Sequence, residues 1–374
     1  MRKLWWNDGR KNGLESSSMR FDSPSTILYG AGTRYELQAQ AEALGAKRLF
    51  FVTDPYIVQS GLLHSVLEPL PASFVFSGVQ PDPTIENVES GRAALRKFEA
   101  DCIVAFGGGS SIDCAKAIRF LEGHLPLIAI PTTAGTGSEA TPVMVITDSA
   151  AGLKKMTRDA RLMPNIAIVD YELSRSMPRP LTAHVGVDTL THGIEAYVSR
   201  KRHPLSTLMA RSCMERSVRY LRRAWANGSD AEAREGMALA ALEGGLAFGN
   251  ASVALVHGMS RPLGALFHIA HGLSNAVLLP EVTQFSFDGA PELYGEIASL
   301  FEIEPSSDAL VNWLSKLNQD LEVPRLRDCC RNDFARFQAV VPKMAADAIA
   351  SGSPANNPVV ASAAEIEAIY LAAW

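Results

Sequence analysis

Hydrophobic rhythm changes once along this chain, near residue 180. Before that point, short apolar runs alternate with segments of helical spacing. The runs at 47–53 (KRLFFVT), 73–78 (SFVFSG), 102–106 (CIVAF), 127–130 (LIAI) and 166–169 (IAIV) each hold three to five consecutive apolar residues. They end at or near Asp, Gly or Pro, the punctuation of buried strands. A further strand-like pattern opens at 25–29. Between the runs, 84–98 sets Ile85, Val88, Ala93, Ala94 and Phe98 at helical intervals. Strands separated by helices of this length predict βαβ units and a parallel sheet. Beyond Pro178-Arg179-Pro180 the β-branched runs fade, and Ala, Leu, Met and Glu dominate amphipathic stretches at 189–199, 205–224 and 230–248. The expectation is an α/β N-terminal domain over 19–181 and an all-α C-terminal domain over 182–374, with Thr182 capping the first helix after the prolines.

Composition removes several classes of function. With 47% apolar and 20% charged residues, the 374-residue chain is neither disordered nor fibrous. Lys and Arg number 35 against 40 Asp and Glu, a net charge of -5, so no basic surplus exists to neutralise a nucleic-acid backbone. Cys102, Cys114, Cys213, Cys329 and Cys330 form no CxxC pair, which fits a reducing cytoplasm better than a disulfide framework. The longest uncharged stretch, 262–280, carries two histidines, Ser274, Asn275 and glycines, a polar content that argues against a membrane span. Residues 1–18 are charged throughout without an apolar core. They are expected to be an extension before a natural start near Met19 rather than a secretory signal.

Three constellations carry chemistry. Gly107-Gly108-Gly109-Ser110-Ser111-Ile112-Asp113 follows the strand CIVAF and opens a helical pattern. Glycines admit close backbone approach, and a helix N-terminus offers free N–H groups to phosphate. Ser110 and Asp113 also match a capping box, and the spacing is not the usual G-x-G-x-x-G fingerprint. The second, 131–141 (PTTAGTGSEAT), places four threonines, a serine and two glycines after the strand LIAI. Two such loops at equivalent strand ends favour a shared dinucleotide over two polar connections. Asp113 and Thr133, within these loops, count among the cofactor-facing residues. The third is Asp188 and His192, one helical turn apart, followed by His257 and His271, each preceding a glycine. One carboxylate and three imidazoles suit Fe²⁺, with Zn²⁺ as the alternative.

On these motifs the chain resembles the iron-dependent (group III) alcohol dehydrogenases. The resemblance runs from about Met19 to the C-terminus through GGGSSID, PTTAGTGSEAT, GVDTLTHGIEAYVS, HGMSRPLG and HGLSNAVLLP, in that order. It implies an active site in the cleft between a dinucleotide-binding α/β domain and a helical domain. It also implies metal ligation by Asp188, His192, His257 and His271. Cofactor contacts fall on Gly108, Gly109, Ser110, Thr132, Thr141, Lys154 and Leu173, with Asp54 at the adenosine ribose. The implied activity is alcohol–carbonyl interconversion with NAD(H), in a cytoplasmic homo-oligomer, in the first instance a dimer, with no nucleic-acid or membrane partner. A glycerol dehydrogenase-like or maleylacetate reductase-like enzyme, and a non-catalytic nucleotide-binding protein, are the alternatives.

The chain also departs from that family. Arg261 stands where many members have a second histidine four residues after the third ligand. Asp82 stands where many have Asn, and Ala270 where many have Pro. Arg261 sits one helical turn beyond His257, so a guanidinium is expected at the metal cleft. It would there either grip an anionic substrate tail or pair with Glu195 or Asp82.

Overall fold

The structure, a computed structural model, describes residues 19–374 except Pro69, Pro71, His124, Ala151 and Gly152; the expected extension over 1–18 lies outside the described residues. The first half runs β1 (Thr26–Tyr29), α1 (Leu37–Ala43), β2 (Leu49–Val52), α2 (Pro55–Gln59), α3 (His64–Leu67), β3 (Ser73–Phe76), α4 (Ile85–Phe98), β4 (Cys102–Gly107), α5 (Gly109–Glu122) and β5 (Leu127–Pro131). It ends with β6 (Val143–Asp148), β7 (Leu153–Arg158) and β8 (Ile166–Val169). Six strands pair, all in parallel, in the order β1-β8-β5-β4-β2-β3. Alternate residues point to opposite faces, and both faces are covered: Phe50, Val52, Ile103 and Ala105 pack with α4 and α5, while Leu49, Phe51, Val104 and Phe106 pack on the other side. Burial on both faces is why these strands read as unbroken apolar runs.

Chain order reverses between β2 and β4, so a crevice opens beyond their C-terminal ends, the usual ligand position in such sheets. The sheet is therefore doubly wound although the glycine fingerprint is absent. β6 and β7 form a separate antiparallel hairpin, which the sequence pattern did not reveal. Its Met144 and Ile146 enter the core, while Val145 and Met156 face the crevice.

The second half is helical: α6 (Arg179–Val198), α7 (Pro204–Ala226), α8 (Ala231–Ala251), α9 (Leu255–Phe267), α10 (His271–Phe287), α11 (Pro291–Leu300), α12 (Ser307–Asp320), α13 (Leu326–Cys329), α14 (Phe334–Ala350) and α15 (Ala363–Ala372). Among the described residues no single helix is long and apolar enough to cross a membrane. The expected cap at Thr182 is corrected. α6 begins at Arg179 with Pro178 as N-cap, because a first-turn proline lacks only an N–H that would go unbonded there. Thr182 instead accepts a hydrogen bond from Arg234 Nη1 at 3.1 Å.

The halves meet where the loop after β5 rests on α8. Gly137 adopts φ 59°, and a Cβ on Gly245 would lie 2.3 Å from the Gly137 carbonyl oxygen. Backbone on both sides leaves no side chain to yield. Gly245→Ala is expected to destabilise the protein by about 3 kcal/mol. A denaturant midpoint equal to that of the wild type would show that the two segments separate freely.

Candidate active site

A cavity of about 700 Å³ lies between the halves, at the mouth of the crevice. The sheet side supplies the ends of β2, β4 and β5. Asp54 follows β2, caps α2 by accepting from the Ile57 N–H at 3.0 Å, and faces the cavity. Gly108 is the N-cap of α5 and Gly109 its first residue, so free N–H groups and the positive helix end point at the same space. Ser110, Thr132, Thr133, Thr141, Lys154 and Leu173 line it as well. The residues that the family resemblance implied as cofactor contacts thus line one cavity.

The capping box read from Ser110 and Asp113 does not form. The helix starts two residues too early, and Asp113 in its second turn accepts from Ser138 Oγ at 2.7 Å and from the Val145 N–H at 2.9 Å. Beside it Lys116, which sequence reasoning passed over, is fully buried. Its Nζ donates to the Ser138, Thr141 and Val143 carbonyls at 2.6–2.8 Å and to the Ser138 and Thr141 hydroxyls. Burial pushes this ammonium down to about 8. An apolar residue in its place would release the loop from three carbonyls at once.

The other wall comes from the helices. α6 is buried without a break from Gly186 to Val198, yet carries Asp188, His192 and Glu195 on one stripe. His257 lies in the first turn of α9 and His271 opens α10. Gly272 explains the second His-Gly pair: a Cβ there would meet the His184 carbonyl oxygen at 2.5 Å, so glycine lets α10 touch α6 beside Asp188. The Nε2 atoms of His192, His257 and His271 stand 3.8, 3.5 and 3.8 Å from Asp188 Oδ1. All four donor atoms fall within 4.8 Å of one another.

Four donors around one ion at 2.0–2.2 Å would stand roughly 3.3–3.6 Å apart, so the set fits a divalent cation. Burial alone would push the Asp188 carboxyl up, but the His192, His271 and His257 imidazoles outweigh it and hold the group well below the usual carboxylate range. Burial pushes His192 down to about 3 and His271 down to about 4, against the pull of Asp188, whereas at His257 Glu195 and Asp188 outweigh burial and pull the imidazole up to about 9, a proton that an ion would displace. Asn275 Nδ2 donates to Asp188 Oδ1 at 2.6 Å and lies 3.1 and 3.3 Å from Nε2 of His257 and His271. Its partial positive charge points to the centre of the cluster, while its buried Oδ1 has no partner. Neither Asn275 nor Glu195 was singled out as part of this site by sequence reasoning. Helical spacing was the available signal, since Asn275 is one turn from His271 and Glu195 two turns from Asp188.

Comparison with known proteins now decides the family. Residues 24–171 match the family described as iron-containing alcohol dehydrogenase, and residues 182–374 match the C-terminal region of the same family. The chain belongs to it. The choline dehydrogenase of Bacillus subtilis (strain 168) is 36% identical over 82% of this chain and 84% of its own. The crystal structure of a 1,3-propanediol oxidoreductase superposes with a TM-score of 0.90 at 32% identity, covering 96% of this chain and all of that one. The sulfoacetaldehyde reductase of Bifidobacterium kashiwanohense, solved in complex with NAD⁺, gives 0.87 at 28% identity over 96% and 99%. This iron-containing alcohol dehydrogenase interconverts an alcohol and an aldehyde or ketone by hydride transfer with NAD(H).

One wall of the dehydrogenase's cavity carries a guanidinium. Arg261, half-buried on α9, lines the space beside His271 and Met156. Its Nη1 donates to Ser353 Oγ at 3.0 Å and its Nη2 lies 3.4 Å from Met156 Sδ. Both acids that could have neutralised it are engaged elsewhere. Asp82 pairs with Lys154 at 2.8 Å, and Glu195 holds His257 at 2.6 Å. Among the described residues no carboxylate lies within ion-pair distance of Arg261, and burial pushes its guanidinium down to about 10.

Proposed function

We propose that Asp188, His192, His257 and His271 hold the divalent ion, that the loops around Gly108 and Thr132 seat NAD(H), and that the substrate is an aldehyde or alcohol with an anionic tail. The observation that carries the substrate class is the Arg261 guanidinium. It faces the cavity with only two of its five N–H groups on protein acceptors, and among the described residues no carboxylate is in ion-pair contact with it, Glu195 acting on it only from a distance. A carboxylate, sulfonate or phosphonate would satisfy it in bidentate fashion. Among relatives, one is named for choline, a cation, and another for sulfoacetaldehyde, an anion. Family membership therefore leaves substrate charge open, and the Arg261 guanidinium supports the anionic reading.

Held by these four side chains, a divalent ion would supply Lewis acidity for the charge that develops on the reacting oxygen. The chain's own groups do the rest. Phe248, stacked on His192 at 4.3 Å, and Val253 keep water from the reacting carbon. The α5 N-terminus holds the pyrophosphate charge, and Arg261 fixes the far end of the substrate. The division at residue 182, the cytoplasmic location and a dimeric assembly without nucleic acid complete the reading.

The test is a matched series of aldehydes of one length with neutral or anionic tails, assayed anaerobically with NADH and added Fe²⁺. The anionic members are expected to give the higher kcat/KM. Neutral members that match or exceed them would overturn the substrate class. Cofactor choice is expected to follow Asp54, whose carboxylate accepts from a ribose hydroxyl but repels a 2′-phosphate. Asp54→Asn, which keeps an oxygen for the α2 cap, should narrow the preference for NADH over NADPH by roughly tenfold. A wild type that prefers NADPH would refute this assignment.

A further inference from the structure

We infer that Glu195 is a positioning residue for the metal, acting by fixing the tautomer and ring orientation of His257. The inference rests on the ligand set proposed above.

Glu195 is buried at 3% exposure on α6, one turn beyond His192. Its Oε2 accepts from the Ala254 N–H at 2.9 Å and stands 2.6 Å from His257 Nδ1, and its Oε1 accepts from the Val256 N–H at 2.6 Å. With two backbone N–H groups already donating, the carboxylate can only accept from the ring, so Nδ1 carries hydrogen. On the opposite side of the ring Nε2 lies 3.1 Å from the Asn275 amide nitrogen, so with Nδ1 turned to Glu195 it is the nitrogen left to face an ion. That nitrogen points into the donor cluster, 3.5 Å from Asp188 Oδ1. The ring is also clamped flat, stacked on His192 with centroids 4.7 Å apart. A carboxylate behind a metal-binding imidazole raises its basicity and selects the nitrogen offered to the ion. The two backbone bonds show how Glu195 itself is held, because they tie it to the irregular turn that opens α9 and leave it one rotamer.

Glu195→Gln tests this sharply. A side-chain amide has one acceptor end and one donor end, whereas the site presents N–H groups to both oxygens. One orientation sets an NH₂ against His257 and favours the tautomer protonated on Nε2, which cannot bind an ion. The other removes the Val256 bond. Affinity of the metal-stripped protein for Zn²⁺, measured by competition with a chromophoric chelator, is expected to fall 10- to 100-fold. In a His257→Ala background the same substitution should add no further loss. Additive losses in that background, or unchanged affinity in Glu195→Gln alone, would overturn the inference. If His257→Ala by itself leaves Zn²⁺ binding intact, the ligand assignment fails instead, and the two failures are distinct. Should Glu195→Gln not fold, the wild type still answers. Imidazole ¹⁵N spectra of the Zn²⁺-loaded protein are expected to show His257 protonated at Nδ1, and protonation at Nε2 would overturn the proposal.

Discussion

His271→Ala is expected to lower the rate of NADH-dependent aldehyde reduction about 1000-fold while the protein stays folded. A bound divalent ion contributes several kcal/mol to the charge that develops on the reacting oxygen, and about 4 kcal/mol corresponds to that factor. His271 is the right probe because it is the most accessible member of the cluster, its side chain 40% exposed to the cavity against 2–4% for Asp188, His192 and His257. It opens α10 rather than filling a core, so truncation leaves no sealed hole. The check is initial rate at saturating Fe²⁺ alongside far-UV circular dichroism. A variant within tenfold of wild type would remove His271 from the ligand set.

Arg261→Ala is expected to cut kcat/KM for an anionic aldehyde by about 30- to 1000-fold, the loss of roughly 2–4 kcal/mol from a charge-assisted contact in a sheltered site. A neutral aldehyde of equal length should change less than about threefold, because truncation leaves no protein carboxylate unpaired. Arg261→Lys keeps the charge but not the fork, and should fall between the two. Equal losses on charged and neutral aldehydes would mean that the guanidinium only supports the wall through Ser353 and Met156.

The contrast between Arg261 and the strands shows what a sequence displays. The five apolar runs were legible because parallel strands covered on both faces must be apolar throughout, and the ends found by pattern fall within three residues of the observed ones. The β6–β7 hairpin stayed hidden because one of its faces lines the cavity, so Lys154, Met156 and Arg158 interrupt the alternation. Asp188, His192, His257 and His271 could be nominated from residue type and spacing, and the fold does bring them together. Whether Arg261 had a counter-ion could not be read, since its rivals lie far away in sequence and each had first to find its own partner. Glu195 was hidden for the same reason, being 62 residues from the ring it holds.

The four cluster residues all stand on α6, α9 and α10, while the glycine- and threonine-rich loops stand at the ends of β4 and β5. Rocking of one half against the other would therefore widen or narrow the gap that hydride crosses without disturbing a single donor to the ion. On the proposed ligand set, nucleotide exchange would then leave the metal donors undisturbed.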